Sequence, residues 1–285
     1  MPQRALSMVM LLLATTLSWS QLPSISFTFT SIDYPGTPYG TVPQGINDLG
    51  QIVGTYAGGR GFLDDRGQFS FIDFPGGIQT YVYGINNLGE IVGSYEDASN
   101  AVHGFILSNG SFSQLDFPGA FRTYALGINN TEQVAGFYYG LDLIVHGFLY
   151  SAGAFTNVDY PGVGQTAIYG LNEGAELVGE YCELVCRGIG TQDGLFRVYR
   201  VPTTAYTAAQ GINSKGQVVG YFGSASSPRD SFLYSRGHYF DFKYPSSFAT
   251  FAFGVNTSTA IVGFYEDASL NEHGFIAVPT TVSPF

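Results

Sequence analysis

Apolar and polar residues alternate along short runs, and glycine, asparagine or proline interrupts every run. A period of two puts one face of a strand inward and the other outward, which predicts β-strands joined by tight turns. Within one stretch the runs are Phe71–Phe74, Tyr81–Asn86, Glu90–Tyr95 and Gly104–Leu107, all rich in aromatic and β-branched residues. Asn86-Asn87-Leu88-Gly89 reads as a hairpin turn: the asparagine side chain bonds backbone two residues on, and the glycine takes the left-handed conformation. Asn109-Gly110 reads as a second compact turn. No long helical periodicity appears after residue 21.

The same pattern recurs six times. The proline of an Asp-aromatic-Pro-Gly segment stands at Pro35, Pro75, Pro118, Pro161, Pro202 and Pro245. The asparagine after Gly-Ile stands at Asn47, Asn86, Asn129, Asn172, Asn213 and Asn256, and the glycine of Ile-Val-Gly at Gly54, Gly93, Gly136, Gly179, Gly220 and Gly263. Three markers in one register define a repeat of about 40–45 residues, the length of a four-stranded propeller blade. The chain opens with a lone strand, Ser26–Asp33, and ends with Gly274–Val278, which lacks the next strand of its own unit. The expected fold is therefore all-β: a six-bladed β-propeller of four-stranded antiparallel blades over residues 21–285, closed by the N-terminal strand. The rival is an open solenoid, whose repeats are usually shorter and need capping ends. Within each unit the Tyr81–Asn86 strand and its equivalents are expected to line the channel, with glycines at 45, 84, 127, 170, 211 and 254 permitting close approach.

Composition agrees with many short strands. The chain of 285 residues holds 38 Gly, 24 Phe and 20 Tyr, and only 12% of it is charged. The net charge of -11 argues against nucleic acid as a partner, because that binding needs a basic face. Residues 1–20 read as a signal peptide: Arg4, then the apolar run Met8–Leu17, then Ser18-Trp19-Ser20 before cleavage at Gln21. The apolar run is too short for a span, and none follows, so no membrane span is expected in the mature chain. The protein is expected to be secreted or periplasmic, and monomeric. Its two cysteines, Cys182 and Cys186, then read as a local disulfide.

The segments Gly45-Ile-Asn-Asp-Leu-Gly-Gln-Ile-Val-Gly54 and Gly84-Ile-Asn-Asn-Leu-Gly-Glu-Ile-Val-Gly93, followed by His103-Gly-Phe105, resemble the HAF family of extracellular repeats, named for a His-Ala-Phe segment. Here it is His-Gly-Phe at 103–105, 146–148 and 273–275, and Arg60-Gly61-Phe62, Arg187-Gly188-Ile189 and Asp230-Ser231-Phe232 elsewhere. The resemblance covers nearly all of the mature chain. It implies export and a repeat architecture, and no established reaction.

An antiparallel meander sends alternate connections to opposite ends of each sheet. One end carries the tight turns. The other carries the variable loops 96–102, 138–145, 182–186, 222–229 and 266–272, together with the crossovers, and is the expected working face. Four sets of residues there are binding candidates. Asp33, Asp73, Asp116 and Asp159, replaced by Arg200 and Lys243 in two units, either converge on a cation or cap their own Pro-Gly turns; capping is favoured. His103, His146 and His273 open equivalent strands and are expected to bond loop backbone rather than zinc. Glu96-Asp97 and Glu266-Asp267 open two similar loops, as acid/base pairs or as a solvated acidic rim. Tyr39, Tyr138, Tyr139 and Phe121 are candidate exposed contacts. No catalytic residue, metal site or cofactor is expected, and no nucleophile elbow or phosphate loop is present. The expected function is a secreted, non-catalytic scaffold binding an extracellular protein or glycan through its loop-bearing face. The alternative is an extracellular polysaccharide hydrolase or lyase with acidic residues at the channel mouth.

Overall fold

The computed structural model describes residues 25–37, 40–202, 204–224 and 227–282. The proposed signal sequence at 1–20 and Tyr39 lie outside the described residues. The fold is an all-β propeller. Four sheets have four strands each. The first orders β2 (Thr41–Ile46), β3 (Gln51–Tyr56), β4 (Arg60–Asp65) and β5 (Gln68–Ile72). An eight-stranded sheet follows. It joins the meander β6 (Gln79–Ile85), β7 (Ile91–Glu96), β8 (Val102–Ser108), β9 (Ser111–Leu115) to β10 (Arg122–Ile128), β11 (Val134–Tyr139), β12 (Val145–Ser151), β13 (Ala154–Asn157). The link between the two meanders is one parallel pairing, Arg122 with Val102.

The next sheets are β14 (Gln165–Leu171), β15 (Leu177–Cys182), β16 (Cys186–Gln192), β17 (Leu195–Tyr199) and β18 (Tyr206–Ile212), β19 (Val218–Ser224), β20 (Ser227–Ser235), β21 (His238–Phe242). In the last sheet, β22 (Ala249–Val255), β23 (Ile261–Glu266) and β24 (Glu272–Val282) are joined by β1 (Ile25–Ile32), which runs antiparallel to β24 from Ile25 opposite Val282 to Ile32 opposite Gly274. Among the described residues no helix is long and apolar enough to cross a membrane.

One expected strand is displaced. The run Phe71–Phe74 is not a strand throughout: β5 ends at Ile72, and Asp73 and Phe74 enter the crossover. Pro75 cannot donate to a ladder, so the pairing stops before it.

The repeated motifs fill the space between sheets. The phenylalanine of the His-Gly-Phe segment and its equivalents, Phe62, Phe105, Phe148, Phe232 and Phe275, is fully buried. Burial of each stabilises the fold by roughly 1.5–3 kcal/mol. The ring of Phe105 lies over Gly93, where a Cβ would sit 2.6 Å from Cζ and would strike the Tyr81 carbonyl. That close approach explains the glycine of Ile-Val-Gly. Between the first two meanders, Phe105 packs with Val53, Ile72, Val82, Ile91 and Tyr95.

Two closed cycles mark the axis. A Cβ built on Gly45 would lie 3.2 Å from the Gly84 Cα, and the same relation at 3.1–3.5 Å runs through Gly127, Gly170, Gly211 and Gly254 back to Gly45. Two residues further along, each buried asparagine donates its Nδ2 to the carbonyl of the next: Asn47 to Asn86 (3.1 Å), Asn86 to Asn129 (3.0 Å), Asn129 to Asn172 (3.2 Å), Asn172 to Asn213 (3.2 Å), Asn213 to Asn256 (2.8 Å). The last, Asn256, returns to the Asn47 carbonyl at 3.2 Å. Each Oδ1 also accepts the N–H groups two and four residues on, as Asn129 does from Thr131 (3.1 Å) and Gln133 (3.0 Å). Asparagine alone supplies two donors and two acceptors at this reach. A hollow of about 90 Å³ lies on the axis at the turn-bearing end, lined by Asn47, Asn86, Asn172, Asn213 and Asn256 and by the apolar residues before the six asparagines.

Candidate functional site

The loop-bearing end collects the sequence candidates, in combinations that the sequence did not announce. The Asp, His and Glu-Asp sets are not separate. His103 Nδ1 lies 2.7 Å from Asp116 and its Nε2 3.5 Å from Asp97. His146 sits between Asp159 (3.0 Å) and Asp142 (3.8 Å), and His273 between Asp33 (3.4 Å) and Asp267 (3.7 Å). The same two positions hold Arg60 and Asp73 at 3.9 Å in one unit, and Asp230 and Lys243 at 3.3 Å, with the charges exchanged, in another. The histidines thus bond carboxylates and not the loop backbone expected for them. Strand pairing is the reason. The His opens the third strand of its sheet and the Asp follows the fourth, so the two lie side by side.

The aspartates do not cap their turns either. The backbone N–H after the Asp goes to a buried threonine on the following strand, Tyr34 to Thr41, Phe74 to Thr80, Phe117 to Thr123 and Tyr160 to Thr166, and Tyr244 after Lys243 does the same to Thr250, all at 2.9–3.0 Å. Asp97 and Asp267 instead cap the loops they open. Asp97 Oδ1 accepts Ser99 N (2.8 Å), Ser99 Oγ (2.7 Å) and Ala101 N (2.9 Å). These bonds, led by the Ser99 hydroxyl, draw its pKa down to about 2. Asp267 accepts Ser269 N and Asn271 N in the same way and is lowered by the Asn271 bonds first. Glu96 and Glu266 end their strands beside these loops.

Tyr138 is not an exposed contact. It is 7% exposed, stacked on Phe117 at 3.7 Å and on His146 at 5.2 Å, and its hydroxyl donates to Asn157 at 3.1 Å. Its neighbour Tyr139 points to the opposite face of β11, as the strand period requires. Phe121 is exposed, with the Arg122 guanidinium 5.4 Å from its ring.

Tyr139 lines a pocket of about 200 Å³ with Phe137, Val145, Gln165, Ala167, Tyr169, Glu180 and Cys182. Cys182 and Cys186 form a disulfide at its edge. Glu180 is the charged group that the sequence reading missed. It is largely desolvated, which pushes its pKa up. Hydrogen bonds oppose that rise: Tyr169 donates to Oε1 at 2.7 Å and Tyr206 to Oε2 at 3.0 Å. Both tyrosines are themselves raised, by burial first and then by nearby phenols and the carboxylate. Arg229 stacks over Tyr206 (5.2 Å), Tyr221 (5.8 Å) and Phe251 (5.9 Å), and its charge also favours ionised Glu180. A signal was available. The residue after Ile-Val-Gly or its equivalent is Thr55, Ser94, Phe137, Glu180, Tyr221 or Phe264, and only one of the six is charged.

Metal chemistry finds little support in this arrangement. Glu180, Cys182 and Cys186 gather within 4.8 Å, but the sulfurs are oxidised and offer no thiolate. Beside each sandwiched histidine, one ring nitrogen faces one loop carboxylate, two donors where a zinc site uses at least three protein ligands.

The chain matches no family model and no curated protein. Its likeness is to solved structures. AofleA from Arthrobotrys oligospora is 10% identical over 92% of this chain and 91% of that one, with a TM-score of 0.54. A variant of the Aleuria aurantia lectin in complex with α-methyl-L-fucoside is 11% identical over 90% and 97%, with a TM-score of 0.52. TolB from Acinetobacter baumannii is 7% identical over 79% of this chain and 60% of its own, with a TM-score of 0.54. At these identities the likeness establishes the fold.

Proposed function

We propose that the protein is a secreted, non-catalytic scaffold that binds a glycan at its loop-bearing end. In this reading it is a six-bladed propeller whose N-terminal strand completes the last blade. The cycle of six asparagine bonds supports the blade count, with the eight-stranded sheet counted as two blades touching at Arg122 and Val102. The register of β1 against β24 supports the closure. The leader-like residues 1–20 and the HAF-like repeats support export.

The observation that carries the binding reading is the pocket of Phe137, Tyr139, Tyr169 and Glu180. Aromatic walls with a few fixed polar groups are what small-ligand sites need. A pyranose presents an apolar C–H face to such rings and hydroxyls to a carboxylate. The Glu180 oxygens are already oriented by two phenols, so no rearrangement is needed to accept from a sugar hydroxyl. The Aleuria aurantia lectin, of the same fold, takes a fucoside; the pocket rather than that likeness carries the argument. Hydrolysis by paired carboxylates needs two of them about 5–9.5 Å apart. Glu180 is the one carboxylate lining this pocket, which favours binding over cleavage.

The test is a glycan array on the purified protein, followed by calorimetry of the best binder against Tyr139→Ala and Glu180→Gln. Each variant is expected to weaken binding at least tenfold. An array without binders, or a binder indifferent to both changes, would overturn the reading.

A further inference from the structure

We infer that this pocket selects a sugar bearing a single carboxylate, a uronic acid residue, and that Arg122 is the group that selects it. The inference rests on the glycan-binding reading and adds the ligand's chemical class. Arg122 is the cross-strand partner of Tyr139, and Tyr124 of Phe137, so the four side chains share one face at the pocket's edge. The Tyr124 and Phe137 rings stack at 4.6 Å, and the Tyr124 and Tyr139 rings meet edge-on at 6.2 Å.

Arg122 is underused. Its Nε is buried and has no hydrogen-bond partner, and among the described residues no carboxylate lies within ion-pair distance of it. Its known neighbours are the exposed Phe121 ring and the Tyr124 hydroxyl. Glu96 influences the same hydroxyl but stays beyond ion-pair reach of the guanidinium. A buried donor left unpaired costs about 1–3 kcal/mol, a cost that a ligand acceptor removes. The guanidinium fork matches a carboxylate with two parallel bonds.

Charge and volume narrow the class further. One arginine balances one negative charge. A densely charged polyanion would meet a chain of net charge -11 and the nearby Glu96 and Glu180. The volume of about 200 Å³ is below the ~300–1,000 Å³ of drug-sized sites, and suits one pyranose ring rather than a longer saccharide. With its carboxylate on Arg122, the ring lies on Tyr139 and Phe137, and its hydroxyls reach Glu180 and Gln165.

Calorimetry tests this with methyl glucuronide and methyl galacturonide against the matching neutral glucoside and galactoside, and against a glycoside 6-sulfate. At least one uronide is expected to bind tenfold or more tightly than its neutral counterpart. Arg122→Gln should remove that preference while leaving the neutral sugar's affinity and the melting temperature near wild type. Arg122→Lys should restore part of it. Uronide and neutral sugar binding equally, or the sulfate binding as well as the uronide, would overturn the carboxylate assignment and leave glycan binding standing. No binding of any probe, together with an empty array, would overturn both.

Discussion

The asparagine ring makes the strongest quantitative claim on this fold. Truncating Asn129 to alanine removes the Nδ2 bonds to Gln133 Oε1 (2.8 Å) and to the Asn172 carbonyl (3.2 Å), and the Oδ1 bonds from Thr131 N (3.1 Å), Thr131 Oγ1 (2.9 Å) and Gln133 N (3.0 Å). Asn129 is 1% exposed, and the Asn172 carbonyl keeps its turn bond from Ala175 N (3.0 Å), so that carbonyl loses one of two partners, at about 1 kcal/mol, while water reaches the groups freed on Thr131 and Gln133 at about 1 kcal/mol for each residue. The total is ~3 kcal/mol. A chain of this size shifts by about 2–4 °C per kcal/mol, so the melting temperature should fall by about 6–12 °C. The control is Asn130→Ala. That side chain, nearer the surface, accepts one bond, from Asn87 N at 2.8 Å, and should cost under ~1 kcal/mol.

Two further variants sharpen the claim. Asn256 has Ala260 where Asn129 has Gln133, and so lacks the bond to a side chain four residues on. Asn256→Ala should therefore cost about 1 kcal/mol less than Asn129→Ala. Asn129→Asp keeps the acceptors but sets a carboxylate against the Asn172 carbonyl. Its folded pKa rises above the unfolded value, so its penalty should grow as pH rises through the carboxylate range and shrink in acid. Differential scanning calorimetry reads all four variants. Asn129→Ala within about 1 kcal/mol of Asn130→Ala would refute the reasoning, because the cycle would then be geometry without energy.

Three other expectations follow from the loop-bearing end. Glu180 has a raised folded pKa, so the wild type should lose stability relative to Glu180→Gln as pH rises from about 4.5, the unfolded value; a pH-independent difference in melting temperature would contradict this. Replacing Cys182 and Cys186 by serine opens a loop of sequence separation 4, worth about 2 kcal/mol on the chain-entropy scale, and chemical denaturation of the double variant against wild type measures it. Glu180 and Arg122 occur once each among the equivalent positions, so calorimetry should return one site per chain; six equivalent sites would place binding elsewhere on the repeat.

Much of the scaffold was legible because repetition averages out local ambiguity. The turn read from Asn86-Asn87-Leu88-Gly89 forms as expected, with Asn86 Oδ1 accepting Leu88 N at 3.0 Å and Gly89 at φ 79°. What stayed hidden was partnership across strands. Asp116 and His103 are thirteen positions apart, and only the sheet register makes them neighbours. A trace of that contact lay in the sequence. Arg60 with Asp73, His103 with Asp116, His146 with Asp159 and Asp230 with Lys243 keep the same spacing with opposite or pairable charges, and Asp33 completes the pattern with His273 from the far end of the chain. Reading the two columns separately concealed it. Glu180 was missed for a different reason: within a strand a lone glutamate reads as solvent-facing, and only the Tyr169 and Tyr206 hydroxyls identify it as half-buried and held.

The two ends of the molecule differ for one physical reason. At the turn-bearing end each asparagine's donor bonds the next unit's backbone carbonyl, which also accepts an N–H of its own turn, so one deviant unit would break the cycle between two neighbours, and all six positions carry the same residue. At the loop-bearing end each histidine–aspartate or arginine–aspartate contact closes between two side chains, which can exchange together, as Asp230 and Lys243 do. Mutual exchange permits divergence without loss of satisfaction. That freedom lets a single unit acquire a half-buried glutamate, and its neighbour an arginine whose Nε has no partner, while the ring beneath keeps its geometry. The asymmetry of this pocket thus sits where side chains vary from unit to unit, and not where the six asparagines repeat.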